Sequence, residues 1–409
     1  MISESTLAFA REHCNDDPVK LLLQRHRHPD VDMELAARQI EGRRQAAAKW
    51  PLLLQYPDYV YPAHLGREQS SSQATALYKA SLASLLTADS PGPHRLLDLT
   101  GGMGIDDIFF ARNGLDVDYI ERNEELCKLS QHNFAAMGLT NIHCHCADST
   151  TRQSNTSYDI IYADPARRDT AGRKTYAFSD CSPDIVALLP VLPPHRHLLV
   201  KASPMADIAS GLQQLGHVAE VHVIAVCGEC KELLFLVSSQ YGQPDNPAII
   251  CTNLRADGTA ISTHRFGLDQ QRQTQPTYCS DGMGHYLYEP HAALMKAAPW
   301  GCLCLWYNVK KLDRNSHLYT SPRLVEGFPG RTFEVLREVP LNKKDIAAAL
   351  DEHGSHGQAN VISRNHPLAA DTIRQKMHIT PGGNLYLIAT TVMQRPTTYL
   401  CVKTSAASE

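Results

Sequence analysis

No apolar run in this 409-residue chain reaches the ~18 residues that a membrane-spanning helix requires, so a spanning protein is excluded. The first residues, MISESTLAFAREHCNDD, lack a basic start followed by a long apolar stretch and do not read as a secretion leader. Tryptophan is scarce at 3 residues and charge of one sign is not in excess, with a net −4 that argues against indiscriminate nucleic-acid binding. No repeat of fixed period and no extended low-complexity tract occurs. The 12 cysteines sit at irregular spacings, and without a leader they are expected to be reduced thiols of a cytoplasmic protein. Cys227-x-x-Cys230 has no second pair to complete a zinc site, so no metal is expected. His143-Cys144-His145-Cys146 alternates along a strand expected to be buried, which sends neighbours to opposite faces.

What is present is ordinary globular material, with 43% hydrophobic and 20% charged residues, in a length that suits two or three domains. From Glu289 to the C-terminus there are 14 Lys and Arg against 10 Asp and Glu, an excess of +4, so the remainder carries −8. A basic C-terminal part on an acidic body indicates where an anionic partner docks. Lys310, Lys311, Arg314, Lys343, Lys344, Arg364, Arg374 and Lys376 are the candidate contacts.

The pattern divides the chain into residues 1–88 (helical), 89–240 (alternating strands and helices), 241–325 (an α+β connecting part) and 326–409 (a small α+β domain). Segments DMELAARQIEGRRQAAAKW and SSSQATALYKASLASLL carry apolar residues at three- and four-residue spacing. Short runs LLDLT, VDYIE, NIHCHCA, YDIIYADP, HLLVKASP, EVHVIAV and ELLFLV then alternate with helical stretches, which predicts a mostly parallel sheet covered on both faces. The last two runs form a hairpin-like pair, suiting a seven-stranded sheet with one antiparallel strand. Gln-rich Asp269–Gln275 reads as an exposed connection, and Cys302-Leu-Cys304-Leu-Trp306 as a core strand.

The chemistry concentrates between Leu96 and Asp164. Strand LLDLT runs into Thr100-Gly101-Gly102-Met103-Gly104 and then a helix; glycines there let a backbone approach a ligand. The second strand ends in Glu121, about 20 residues on, where a carboxylate accepts both hydroxyls of a ribose. The third delivers Asp148, placed for an adenine amine, and the fourth ends in Asp164-Pro165-Ala166-Arg167-Arg168. All four sites fall at the carboxyl ends of successive strands, where open α/β sheets bind ligands. A dinucleotide fingerprint starting at Gly102-x-Gly104 would put Asp107 where its third glycine belongs, which disfavours a nicotinamide enzyme.

LLDLTGGMG, Glu121, Asp148 and Asp164-Pro165 together resemble the class I S-adenosylmethionine-dependent methyltransferases over roughly residues 90–240. EQSSSQATALYK, DPARR, KASPMADI, GECKELL, LYEPHAALMKA, ISRNHPL and GGNLYLIAT extend the likeness over nearly the whole chain, to a bacterial family of such enzymes with a C-terminal THUMP-like domain. The resemblance implies a Rossmann-like seven-stranded methyltransferase domain, an N-terminal helical region and a C-terminal ferredoxin-like and THUMP-like α+β part. It implies S-adenosyl-L-methionine as cofactor, with Asp98, Thr100, Gly102 and Gly104 at its methionine end, Glu121 on the ribose and Asp148 on the adenine. It also implies RNA, tRNA or rRNA, as substrate. Asp164-Pro165-Ala166-Arg167 resembles the Asp/Asn-Pro-Pro-aromatic motif of exocyclic-amine methylators, with Ala166 for the second proline and Arg167 for the aromatic ring. On that likeness Asp164, Pro165 and Arg167 carry catalysis, while Arg168, Tyr176, Lys201 and Glu229 contact substrate; Tyr176 or Phe178 supplies stacking in place of the lost ring. A small-molecule or protein methyltransferase, or a catalytically vestigial RNA-binding protein, are the competing readings.

Overall fold

The computed structural model describes residues 3–89, 92–151, 156–166, 177–238 and 246–404. These divide into two compact units: Met1–Val226 with Lys231–Pro247 and Leu254–Thr259, and Cys227–Cys230 with Ala248–Asn253 and Ala260–Glu409. No helix among the described residues is long and apolar enough to cross a membrane.

The first unit opens with helices α1 (Glu4–Glu12), α2 (Pro18–Leu22), α3 (Met33–Lys49), α4 (His64–Gln69) and α5 (Gln73–Thr87). Asp32 caps α3 and Ser72 caps α5, each side chain accepting from an amide of the first turn. There follow β1 (Arg95–Asp98), α6 (Ile105–Arg112), β2 (Asp116–Glu121), α7 (Glu124–Ala136), β3 (Ile142–Cys146), β4 (Tyr158–Ala163), α8 (Ile185–Leu188), β5 (His195–Ala202), α9 (Ile208–Leu215), β6 (Val218–Val226) and β7 (Glu229–Ser238). The strand order in this unit is β3-β2-β1-β4-β5-β7-β6. β1 pairs in parallel with β2 and β4, and β5 pairs antiparallel with β7, a reversal that the hairpin-like pair predicted. Consecutive Leu96 and Leu97 in β1 are both buried because helices cover both faces of a parallel sheet.

The helical region is continuous with this core rather than appended to it. Ala76, Ala80 and Ala83 of α5 share one apolar cluster with Ile108, Phe109 and Phe110 of α6 and with Trp50, Tyr59 and Tyr61. Small side chains at helical spacing let α5 lie close against α6.

Two expectations about the third strand change. β3 is an edge strand with partly exposed side chains rather than a buried one, its His143 and His145 pairing with Asp116 and Asp118 of β2. Cys146 is bonded to Cys127 of α7 in a disulfide, so the cysteines are not all free thiols. The residues are 19 apart in sequence, a proximity that only the packing of α7 on β3 creates.

The second unit contains β8 (Ala248–Leu254), β9 (Ala260–Gly267), α10 (Leu268–Gln273), β10 (Tyr286–Pro290), α11 (Ala292–Ala297), α12 (Trp300–Tyr307), β11 (Lys310–Lys311), β12 (Tyr319–Ser321), β13 (Gly330–Glu338), α13 (Lys343–Glu352), β14 (Asn360–Arg364), α14 (Ala370–Met377), β15 (Leu385–Val392) and β16 (Arg395–Lys403). One sheet runs β11-β12-β10-β13-β16-β15-β14. Ile346, Ala349 and Leu350 of α13 and Ile373 of α14 cover Leu385, Leu387 and Leu400 of that sheet. Cys302–Trp306, read as a strand, belongs to helix α12, bounded by Pro299 and by Asn308 in the left-handed region at φ 49°. The Gln-rich connection is also largely helical, as α10.

Candidate active site

The turn after β1 is built by hydrogen bonds within the first unit. The Asp98 carboxylate accepts from the Thr100 amide at 2.7 Å and from its hydroxyl at 3.1 Å. The same hydroxyl accepts the Asp164 amide at 2.6 Å, which ties the end of β4 to the end of β1. A glycine at position 100 would make neither side-chain bond, so Thr100 has a structural reason of its own. Gly104 begins α6 in the left-handed region at φ 72°. A Cβ there would stand 2.3 Å from Phe134 Cζ, so the constraint is packing against α7 as well as backbone conformation. Glu121 accepts the Gly102 amide at 2.9 Å and the Asn123 amide at 2.7 Å, which fixes its carboxylate beside the turn.

These residues line a cavity of about 550 Å³ together with Asp148, Asp164, Pro165, Tyr162 and Asp106. A pocket of this size falls in the range that holds a nucleoside-sized ligand. Asp98, Thr100, Gly102, Gly104, Glu121 and Asp148 all lie on its wall. Asp148 is exposed at the rim, and bonds from the Thr150 hydroxyl and amide hold its carboxyl below the usual range. The fit to S-adenosylmethionine rests on two observations: a carboxylate stands at the second strand end, where ribose hydroxyls bind, and buried carboxylates form the floor, where cationic groups are stabilised.

The floor is a network that sequence reasoning did not find. Lys79 of α5 is fully buried, and its ammonium lies 2.8 Å from the Ser71 hydroxyl, 2.9 Å from Glu232 of β7 and 3.0 Å from Asp106. Asp106 also accepts from the Ser71 hydroxyl at 2.8 Å and the Tyr162 hydroxyl at 2.7 Å. Burial works to raise the Asp106 carboxyl, but Lys79, then Lys201, Tyr162 and Ser71, outweigh it and hold it below the ordinary range. Burial pushes Asp98 up to about 7, opposed by its bond from the Thr100 amide. Burial, then the charges of Asp98 and Asp106, push the Asp107 carboxyl well above the usual range. A lysine set in the Ala76–Ala80–Ala83 stripe was the signal for this network, since charge on a buried helix face requires partners.

Just beyond the end of β4, Asp164 lies 2.5 Å from Lys201 of β5. Burial works against the lysine charge, but Asp164, Glu232 and Asp106 outweigh burial and hold the ammonium protonated well above the ordinary range. Lys201 and Lys231 line a small recess with Asp164, Pro165 and Phe178. Phe178 is buried edge-to-face on Phe235. Arg167, Arg168 and Tyr176 lie outside the described residues. Glu229 is exposed at the start of β7 and lines neither cavity.

In the second unit, five of the expected anion contacts already have partners: Lys310 lies 3.6 Å from Asp281, Lys343 2.7 Å from His378 and Arg374 2.9 Å from Asp371, and Lys311 and Arg364 are engaged as well. Lys311 is buried, its ammonium donating to the carbonyls of Asp313 at 2.7 Å and Arg314 at 2.6 Å, which removes it from the candidate list. Arg364 and Arg331 converge on buried Glu289, Arg364 Nη2 at 2.8 Å, while both guanidiniums stay nearly half exposed. Arg314, Lys344 and Lys376 are exposed.

The strand order with one reversed strand, the glycine turn and the ligand wall at the strand ends define a class I S-adenosylmethionine-dependent methyltransferase. Residues 286–329 match the model of a ferredoxin-like domain, and residues 330–403 that of a THUMP domain-like family. A crystal structure of a protein from Porphyromonas gingivalis W83, assigned as a methyltransferase, is 30% identical over 99% of both chains, with a TM-score of 0.81. The chain belongs to that methyltransferase family. A class I enzyme from Listeria monocytogenes, likewise assigned, is 9% identical over 62% of this chain and 94% of its own, with a TM-score of 0.39. A METTL16 methyltransferase domain is 15% identical over 47% of this chain and 94% of its own, with a TM-score of 0.38. No curated protein matches the chain significantly.

Proposed function

We propose that this enzyme methylates RNA, transferring the methyl group of S-adenosylmethionine to a base nitrogen, an exocyclic amine, of tRNA or rRNA. The observation that carries the reading is Asp164-Pro165 at the end of β4, on the wall of the cofactor cavity, with the carboxylate fixed by Lys201. The THUMP-like residues 330–403 support RNA as the substrate class.

When bound, the cofactor supplies an electrophilic methyl on sulfonium, and the displacement leaves a neutral sulfide. The chain's task is to orient the acceptor. Asp164 accepts a hydrogen bond from the amine, which turns the nitrogen lone pair towards the methyl carbon. The nitrogen–carbon bond forms as the carbon–sulfur bond breaks, its electron pair going to sulfur, and the amine proton leaves to Asp164 or water. Lys201 holds the carboxylate in place. Such transfers need positioning and electrostatics more than acid–base machinery.

The test is transfer of labelled methyl from S-adenosylmethionine to RNA from cells lacking the gene, with wild type and Asp164→Ala compared. The reading expects label in nucleoside-sized products of wild type, and nearly none from the variant despite normal cofactor binding. Equal transfer by both would leave carbon or ribose methylation as the better reading.

A further inference from the structure

We propose that Asp106, gripped by Lys79 from the N-terminal helical region, is the anionic contact for a cationic group of the cofactor, and that Lys79 is its positioning residue. This deepens the methyltransferase reading and rests on S-adenosylmethionine as cofactor.

Asp106 lines the cavity, yet it is only 7% exposed. A carboxylate so placed loses hydration, and only strong partners keep it charged. It has three, from three segments: the Ser71 hydroxyl, the Tyr162 hydroxyl and the Lys79 ammonium. Lys79 divides its charge between Asp106 and Glu232. Lys201 pairs with Asp164. The cavity wall itself carries five carboxylates, Asp98, Asp106, Glu121, Asp148 and Asp164, against the one guanidinium of Arg122. The lining carries net negative charge, which suits a ligand bearing a sulfonium and an amino-acid ammonium. The charged and titratable groups facing Asp106 are Lys79 of α5, Lys201 of β5, Tyr162 of β4, Asp98 of β1 and the neighbouring Asp107.

Removing Lys79 takes away the largest stabiliser of the Asp106 charge, so its carboxyl rises towards neutrality. In Lys79→Met the Kd for S-adenosylmethionine, taken as a ratio to wild type, is expected to grow about tenfold or more as pH falls from about 9 to about 6. Asp98 titrates in both proteins, which is why the ratio is read. Lys79→Arg, which keeps the charge, is expected to stay nearer wild type. A ratio that is flat with pH would overturn the role of Lys79, since a merely structural lysine lowers stability without adding a titration.

If Lys79→Met fails to fold, Asp106→Asn tests the contact directly, because an amide keeps an oxygen for Ser71 and Tyr162. Calorimetry of this variant with S-adenosylmethionine and with S-adenosylhomocysteine separates the two cationic groups. Equal weakening of both, by about tenfold, assigns the ammonium; weakening of S-adenosylmethionine alone assigns the sulfonium. Unchanged affinity for both overturns the proposal. A wild type that bound neither ligand would remove the cofactor reading as well, an outcome distinct from variants that match a binding wild type.

Discussion

Lys201 and Asp164 form an ion pair at 2.5 Å, across parallel strands β5 and β4, with the lysine side chain 9% exposed and the carboxylate 31% exposed. The buried partner fixes the half-open one, so the orientation of the exposed carboxylate is set from inside the fold. On the proposed function the part of Lys201 is to hold that carboxylate in place.

That arrangement predicts coupling. Lys201→Met is expected to lower methyl transfer by ~10²-fold while cofactor affinity changes little, as for loss of one oriented group in a closed site. The double variant with Asp164→Ala is expected to be no slower than Asp164→Ala alone, because the residues act as a unit. Single-turnover rates on the RNA substrate check this, and additive losses would separate the two residues.

Gly104→Ala places a methyl group 2.3 Å from Phe134 Cζ in a left-handed backbone conformation. Overpacking of this kind costs about 1–3 kcal/mol, and the conformation about 1–2 kcal/mol more. Adding Phe134→Leu is expected to recover the packing share but not the backbone share, a split that denaturant unfolding of the three proteins reads.

His291 is buried in the second unit, and neither ring nitrogen finds a hydrogen-bond partner among the described residues. Burial, then the neighbouring His264, lowers its pKa to about 3 from an ordinary 6.5. The folded state therefore holds it neutral where the unfolded state is protonated. Its contribution to stability is present above about 6.5 and is lost as pH falls from there towards about 3, at roughly 1.4 kcal/mol per unit. His291→Leu is expected to flatten the fall in stability between pH about 7 and about 5 relative to wild type. An identical pH dependence in both proteins would remove His291 as its source.

The bond between Cys127 and Cys146 is checked by thiol counting in denaturant. Ten free thiols are expected before reduction, and all 12 cysteines afterwards. Twelve before reduction would restore the all-thiol expectation.

Much of the α/β core was legible because its strands are short apolar runs that end in chemistry: Asp98, Glu121, Asp148 and Asp164 all come to the cavity wall as their places at strand ends required. Helix α12 was not, since Cys302-Leu-Cys304-Leu alternates like a strand while consecutive burial on a short helix leaves no 3.6-residue signature. The Lys79 network lay beyond reach for a different reason. Its members come from α5, the loop before it, α6, β4 and β7, and pairing at sequence separations such as 153 residues is a property of packing. Lys311 failed in the opposite direction: composition marks a cation but not which face of a two-residue strand it occupies.

On the proposed function, Asp164 directs a methyl group onto a base amine of RNA. Mass spectrometry of nucleosides from the RNA of cells lacking the gene, complemented with wild type or Asp164→Ala, tests it most directly. The expected result is one N-methylated nucleoside that wild type restores and Asp164→Ala does not. A restored nucleoside methylated on carbon or ribose, or equal restoration by the variant, would contradict it.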